Sequence, residues 1–314
     1  MSWMEKRIKP MLAYPSRPFD SEEHLYEIKW DGTRCIAFLG EKTRLQNRRL
    51  QDITKRYPEF QRLHEKVKGE AILDGEIVVL REGKPDFNML QQREHAQGEF
   101  NIKLLAEEMP AQYIAFDLLY HDGVPLVGET LTTRREKLEK VVKEGEELLL
   151  STYVAARGRE FFSRAVELGL EGVIAKEKGS PYLIGERSRY WLKIKNTQTM
   201  DCVVCGYTRG EGRRSDYFGS LVLGCYLEGR LVHLGQVGSG FDEAFLRSFT
   251  EKLRRIEVPR ATLESPRVKR EVKWVKPLYV CEVEYLELTR DKKLRAPIFK
   301  RLKTDKDAEE CLLI

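Results

Sequence analysis

The feature that most restricts this chain is the punctuation of its first two-thirds. Short apolar β runs alternate with helical stretches, yet never in regular βαβ units. Leu25 to Phe38 reads as strand, tight turn and strand, with Asp31-Gly32 as the turn and Cys35-Ile36-Ala37-Phe38 as the returning strand. Ala71 to Leu80 repeats that form, with Asp74-Gly75 inside an apolar run. Tyr113 to Tyr120, Gly172 to Ala175 and Tyr190 to Ile194 add further strands, while Leu131 to Lys143 and Arg159 to Leu168 carry helical periodicity. This mixing predicts α+β architecture with mixed and antiparallel sheets rather than a doubly wound parallel sheet.

The last third changes character. Closely spaced strands are expected at Cys202 to Tyr207, Ser220 to Tyr226 and Leu231 to Val237. A helix follows over Asp242 to Ile256 with Asp242 as N-cap, then a late strand over Leu278 to Leu288. About five strands around one helix suggest a small Greek-key barrel of the OB type. The polar segment Asn196 to Met200 is the best boundary, giving domains at 1–197 and 198–314. A chain of 314 residues is also longer than one hydrophobic core usually serves.

Composition narrows the function classes. No apolar run approaches the ~20 residues that a bilayer span needs, and the basic, polar start lacks the apolar centre of a signal peptide. A cytoplasmic protein with no membrane partner is therefore expected. The six cysteines show no framework spacing; Cys202 and Cys205 form a C-x-x-C with no second pair, inside an apolar run that reads as a core strand. Net charge is only +5, but basic residues gather at 44–49, 209–214, 267–276 and 290–306, which makes a phosphate-backbone partner plausible.

One octet stands out: Glu27-Ile28-Lys29-Trp30-Asp31-Gly32-Thr33-Arg34. A lysine on a strand running into a turn is ordinarily just an exposed charge. Acting as a nucleophile near neutral pH it would need help, because a free lysine has a pKa of ~10.4. Neighbouring cations favour the neutral amine, and Trp191-Leu192-Lys193-Ile194-Lys195 places two lysines on one strand face. The octet resembles the nucleotidyl-acceptor motif of covalent nucleotidyltransferases. Three more segments follow in that family's order: Leu73-Asp74-Gly75-Glu76, Ala115-Phe116-Asp117-Leu118-Leu119 and Glu171-Gly172-Val173-Ile174-Ala175-Lys176. Glu27, two residues before the lysine, narrows the resemblance to ATP-dependent DNA ligases, which it covers from about Pro10 to Lys306.

That resemblance implies an N-terminal adenylation (nucleotidyltransferase) domain followed by an OB-fold domain, and roles for particular residues. Lys29 would become covalently adenylated by ATP. Ile28 would line the nucleotide site, and Glu27 would read the adenine amino group. Phe116 would stack on adenine with Ile174 covering its other face, and Glu76 would contact the ribose. Glu76 and Glu171 would hold Mg²⁺ or Mn²⁺. Lys193 and Lys195 would clamp the α-phosphate, and Asp31 would assist the later steps. Arg34 would meet the ribose or the nick phosphate. Arg48 would grip the DNA 5′-phosphate, although Asn47 stands where the family has serine.

The likeness continues into the second domain. Gly206 to Arg214, Phe218-Gly219-Ser220-Leu221 and Val237-Gly238-Ser239-Gly240-Phe241 look like the opening of the ligase OB domain, with Arg213 and Arg214 as DNA contacts. The glycine-rich turn before Phe241 leads into the helix rather than forming a phosphate loop. The tail 295–306 resembles the motif that orients pyrophosphate, offering Arg301, Lys303 and Lys306; Lys303 stands where that motif begins with arginine. Resemblance is greatest to the ligase modules of bacterial and archaeal end-joining systems. It implies nicked or broken double-stranded DNA as substrate, a monomer, and recruitment by a Ku-like end-binding protein, since no long N-terminal helical DNA-binding region precedes the motifs. An RNA ligase and a capping-type guanylyltransferase share much of the motif set, and a non-catalytic DNA-end binding module is a reading from another class.

Overall fold

The computed structural model describes residues 2–264 and 266–313, so the outer ends of the expected domains, residues 1 and 314, lie outside the described residues. The chain divides into two compact units, Met1–Asn196 and Thr197–Ile314.

In chain order the first unit contains β1 (Leu12–Pro15), β2 (Ser21–Ile28), β3 (Thr33–Leu39), β4 (Thr43–Asn47), β5 (Ala71–Arg81) and β6 (Lys84–Pro85). Helices α1 (Phe87–His95) and α2 (Glu99–Glu108) precede β7 (Ala111–His121) and β8 (Val124–Pro125). Then come α3 (Leu131–Val141), β9 (Leu148–Leu150), β10 (Tyr153–Ala156), α4 (Gly158–Glu167), β11 (Gly172–Glu177) and β12 (Arg187–Lys195). One sheet runs β1-β12-β11-β2-β10; the other runs β4-β3-β5-β7-β8, with β6 on β5 and β9 on β7.

Two expectations from the Asp-Gly pairs need correction. β2 and β3 are not a hairpin: they belong to different sheets, and residues 29–32 carry the chain from one to the other. The crossing is close, since a Cβ on Gly32 would lie 2.2 Å from the Ile77 carbonyl oxygen. Asp74-Gly75 is not a turn at all but the middle of β5, where the β5–β7 register shifts. Eleven residues buried almost throughout override the local turn preference of Asp-Gly. Sequence patterning also misses α1 and α2. No residue of α2 is buried, so it carries no apolar stripe to read.

The two sheets bury their facing sides together. Ile36, Phe38, Ile72, Leu119, Tyr182 and Trp191 form the layer between them. The outer face of the larger sheet packs on a separate core that includes Leu73, Ile77, Tyr113 and Leu138 of α3. Helix α4 covers the smaller sheet through Ala165, against Tyr26, Val173 and Ile194.

The second unit is the expected OB-type barrel. Its strands are β13 (Gln198–Arg209), β14 (Phe218–Leu227), β15 (Arg230–Val237), β16 (Glu257–Val258), β17 (Val272–Tyr285) and β18 (Ile298–Lys303), with α5 (Glu243–Arg254) between β15 and β16. They pair antiparallel in the order β15-β14-β13-β17-β16, with β18 also on β17. The expected cap is present: the Asp242 side chain accepts a hydrogen bond from Phe245 N at 2.7 Å. Leu246, Phe249 and Leu253, spaced i, i+3, i+7, are the buried stripe of α5. Cys202 and Cys205 are both fully buried in this core, and no group of three or more metal-ligating side chains exists among the described residues. The boundary segment is not a free linker, because β13 already begins at Gln198.

Candidate active site

Strand register explains why distant segments meet. On the smaller sheet Ile174 lies opposite Glu27 on one side and Lys193 on the other, and Lys176 lies opposite Trp191. Directly opposed residues share a sheet face, so these five side chains all project the same way. On the larger sheet Arg34 lies opposite Glu76. Between them opens a cleft of about 270 Å³ lined by Glu27, Ile28, Lys29, Arg34, Arg48, Glu76, Phe116, Ile174, Lys193 and Lys195. Thus ten side chains chosen from sequence line one cavity. Glu171 joins them through its ion pairs, and Asp31 sits in the crossing segment beside Lys29.

Lys29 sits one residue past β2, anchored where its backbone N–H donates to the Gly172 carbonyl at 2.9 Å. Its Nζ donates to Glu171 Oε2, while Lys195 Nζ lies 2.9 Å from Glu171 Oε1. Glu171 is largely buried; burial pushes its carboxyl up, but Lys29 and Lys195 outweigh this and hold it below its ordinary value. Glycine is required after it: Gly172 has φ +143°, and a Cβ there would lie 2.1 Å from the Ile194 oxygen. The Lys193 ammonium is held below its usual pKa by burial first and then by Arg187, Lys195 and Lys29.

Glu76 differs from Glu171. Burial pushes its carboxyl up to about 7, against the pull of Arg34 and Lys29. No salt bridge to it exists among the described residues, so its oxygens are open to a cation, whose approach would favour the ionised form. Arg34 is committed elsewhere. Its Nε and Nη2 each donate to Asp74 at 2.6 Å, and its guanidinium carbon lies 4.6 Å from the Phe116 ring centroid. Burial opposes its charge, but Asp74 outweighs burial and raises its pKa above the ordinary value. Arg34 therefore reaches the cleft as a fixed cation.

Arg48 follows β4 in a turn organised by Asn47, whose Oδ1 accepts from Arg49 N at 2.9 Å and Gln51 N at 3.0 Å. Asparagine in place of the family serine thus builds the turn that presents Arg48 to the cleft. Arg213, Arg214, Arg301, Lys303 and Lys306 lie on the second unit instead. There Arg213 and Arg214 end a short 3-10 turn, Arg301 pairs with Glu282 at 2.9 Å, and Lys306 pairs with Asp201 at 2.8 Å.

Several neighbours of the cleft escape the sequence reading. Lys176, Arg187 and Trp191 line the cleft. Lys176 and Trp191 stand inside the motif segments, where residue type and spacing assign them no role. Asp74, read as a turn residue, is fully buried and accepts from Tyr182 Oη at 2.6 Å as well as from Arg34. A charged residue inside an eleven-residue apolar strand was the signal that could have found it.

A family model described as the ATP dependent DNA ligase domain matches residues 10–195, and one described as the ATP dependent DNA ligase C terminal region matches 214–306. The DNA ligase of Thermococcus onnurineus is 34% identical across 97% of this chain and 57% of its own length. The multifunctional non-homologous end joining protein LigD of Pseudomonas aeruginosa is 37% identical across 98% of this chain and 36% of its own length. This chain thus spans from about a third to just over half of those curated relatives. The ligase domain of M. tuberculosis LigD matches with both chains wholly covered, at 30% identity and a TM-score of 0.56. Two family models that between them span both units, matching relatives and a cleft assembled from the ordered motifs lead to one conclusion: the chain belongs to the ATP-dependent DNA ligase family.

Proposed function

We propose that this chain is a DNA ligase module that seals 3′-hydroxyl/5′-phosphate breaks in double-stranded DNA through a covalent lysyl-AMP on Lys29. The observation that carries this reading is the position of Lys29: it shares Glu171 with Lys195 at a cleft that also holds Glu76, Phe116 and Lys193. Lys29 attacks the α-phosphorus of ATP and pyrophosphate leaves. AMP then passes to the 5′-phosphate of the break, and the 3′-hydroxyl displaces AMP as the strand is sealed.

The residues divide this work. Phe116 and Ile174 form the walls for the base. Glu27 presents Oε1, a buried acceptor without a hydrogen-bond partner, where an exocyclic amine can donate. Such an acceptor favours adenine over guanine, whose oxygen at that position would face it, and this weighs against the capping-type reading. Lys193 and Lys195 offset charge on the phosphates. Asp31 and Arg34 serve the later steps, and Arg48 is suited to the 5′-phosphate. Residues 1–197 form the adenylation domain and 198–314 the OB domain, in which Arg213 and Arg214 serve DNA while Arg301, Lys303 and Lys306 orient pyrophosphate.

The acidic side chains fit a divalent cation of the Mg²⁺ type. Glu76 has no ion-pair partner among the described residues, and both Glu76 and Glu171 feel the Lys29 charge. Mg²⁺ commonly uses one or two carboxylates plus substrate phosphates, so a preformed cage is not needed. When bound, the ion supplies charge neutralisation at the phosphates. Lys29 Nζ donates to Glu171 in the resting site, and that pair has to open before Nζ can attack phosphorus.

The end-joining names of several relatives favour work on double-strand breaks by a cytoplasmic monomer recruited by a Ku-like protein. Incubation with α-labelled ATP and Mg²⁺ tests the central reading. Label is expected on the native protein, absent from Lys29→Ala, and discharged by nicked DNA as that DNA is sealed. Absence of label after prior stripping with pyrophosphate would overturn it.

A further inference from the structure

The adenine-reading corner raises a physical problem. Glu27 is only 1% exposed, yet it must be held rigidly while one of its oxygens is left open for the ligand. Lys176 Nζ donates to Oε2 at 2.9 Å and occupies that side. Oε1 has no hydrogen-bond donor, and the Arg135 guanidinium stands off from it with Nη1 at 3.9 Å. That distance supports attraction without using the oxygen's lone pairs.

Arg135 spends its hydrogen bonds elsewhere, and on two other parts of the same corner. Nη1 donates to the Phe116 carbonyl at 3.3 Å, and Nη2 donates to the Ser151 carbonyl at 2.5 Å. Phe116 is the aromatic wall of the cleft. Ser151 Oγ accepts from the indole N–H of Trp30 at 3.5 Å, and Trp30 also lines the cleft beside Lys29. The side chain is 3% exposed, and α3 delivers it from behind the cleft, which it does not line.

We propose that Arg135 is the positioning residue of the base-reading corner. One planar guanidinium fixes the Phe116 strand, the Ser151 segment that steadies Trp30, and the open oxygen of Glu27 in a single register. This rests on the ligase reading, in which Glu27 accepts from the amine of adenine. Arginine suits the task because its fork reaches two carbonyls at once while its charge still lies 3.9 Å from Glu27, as it does from Glu139 at the helix surface. Lysine, with a point charge on a flexible stem, holds at most part of that arrangement.

The test is the rate of self-adenylation with ATP and with purine riboside triphosphate, which lacks only the 6-amino group. Native protein, Arg135→Lys and Arg135→Met are compared. Native protein is expected to prefer ATP by roughly 10- to 100-fold, the worth of one hydrogen bond to a charged acceptor. Both substitutions are expected to bring the preference close to parity, chiefly by raising KM for ATP, with the larger change in Arg135→Met. A residue that merely supports the fold would slow both nucleotides by one factor and leave the preference intact; that result overturns the proposal. Should Arg135→Met fail to fold, Arg135→Lys carries the same comparison. Equal use of the two nucleotides by native protein also overturns it, while leaving covalent adenylation of Lys29 standing. No labelling of native protein by ATP overturns the ligase reading itself.

Discussion

The two units solve the burial of polar groups in opposite ways. The first buries Glu27, Asp74, Arg93, Asp117, Arg134, Arg135 and Lys176; among the described residues of the second, the buried polar side chains are Thr208, His233 and Thr250. Around Val203 and Leu223 the second unit packs five thiols and a set of phenylalanines instead. Desolvating an ion costs several kcal/mol unless partners compensate, so buried charge is a poor route to stability. It is retained where fixed charges are useful. In the first unit Asp74 fixes Arg34, and Glu27 stands between Lys176 and Arg135.

This contrast can be broken most forcefully at Asp117. Its carboxylate takes two hydrogen bonds from Arg134, at 2.7 and 2.9 Å, with both side chains fully buried. Asp117→Ala leaves an uncompensated guanidinium and is expected to cost the first unit about 3–5 kcal/mol. Urea unfolding followed by a tryptophan signal from that unit measures it; a loss below 1 kcal/mol would mean the pair is dispensable. Leu253→Ala probes the other strategy. That side chain is fully buried on α5 in an apolar core, so a loss of about 2–5 kcal/mol is expected, with no change in the pH dependence of unfolding. A new pH dependence would show that charge contributes to the barrel core after all.

The smallest expected effect lies at Glu171 and sharpens the comparison by pH. Its folded-state pKa lies below the ordinary 4.5, so the folded form binds its proton less readily than the unfolded chain. The resulting stability is present above pH 4.5 and lost as the pH falls through the lower folded value. Native protein and Glu171→Gln should therefore differ in urea midpoint near pH 7 and converge as the pH falls below the lowered folded value. A gap that stays constant with pH would place the cause in packing rather than in the ion pairs with Lys29 and Lys195.

The candidate site was legible because its residues lie in short contiguous segments. Lys29 with Asp31 and Arg34, Glu76, Phe116, Glu171 and Lys193 with Lys195 could be picked out by type and spacing, and most of them line the cleft. Helices α3, α4 and α5 were legible from periodicity and, for α5, from the Asp242 cap. The Asp-Gly pairs misled for a definable reason. A dipeptide's turn preference is worth little against the burial of a whole strand, and nothing local to Asp31-Gly32 reveals that the chain changes sheets there.

Sequence by itself determined the alternation of short elements and the order of the motif segments, and it supplied the proposed nucleophile, because each depends on residue type over a few neighbouring positions. Only the tertiary structure decided the supporting residues. Asp74 beneath Arg34, and Lys176 and Arg135 around Glu27, act through side-chain contacts that span 40 to 149 positions in the chain. Strand register and burial create those contacts, and neither is encoded in any one stretch of residues.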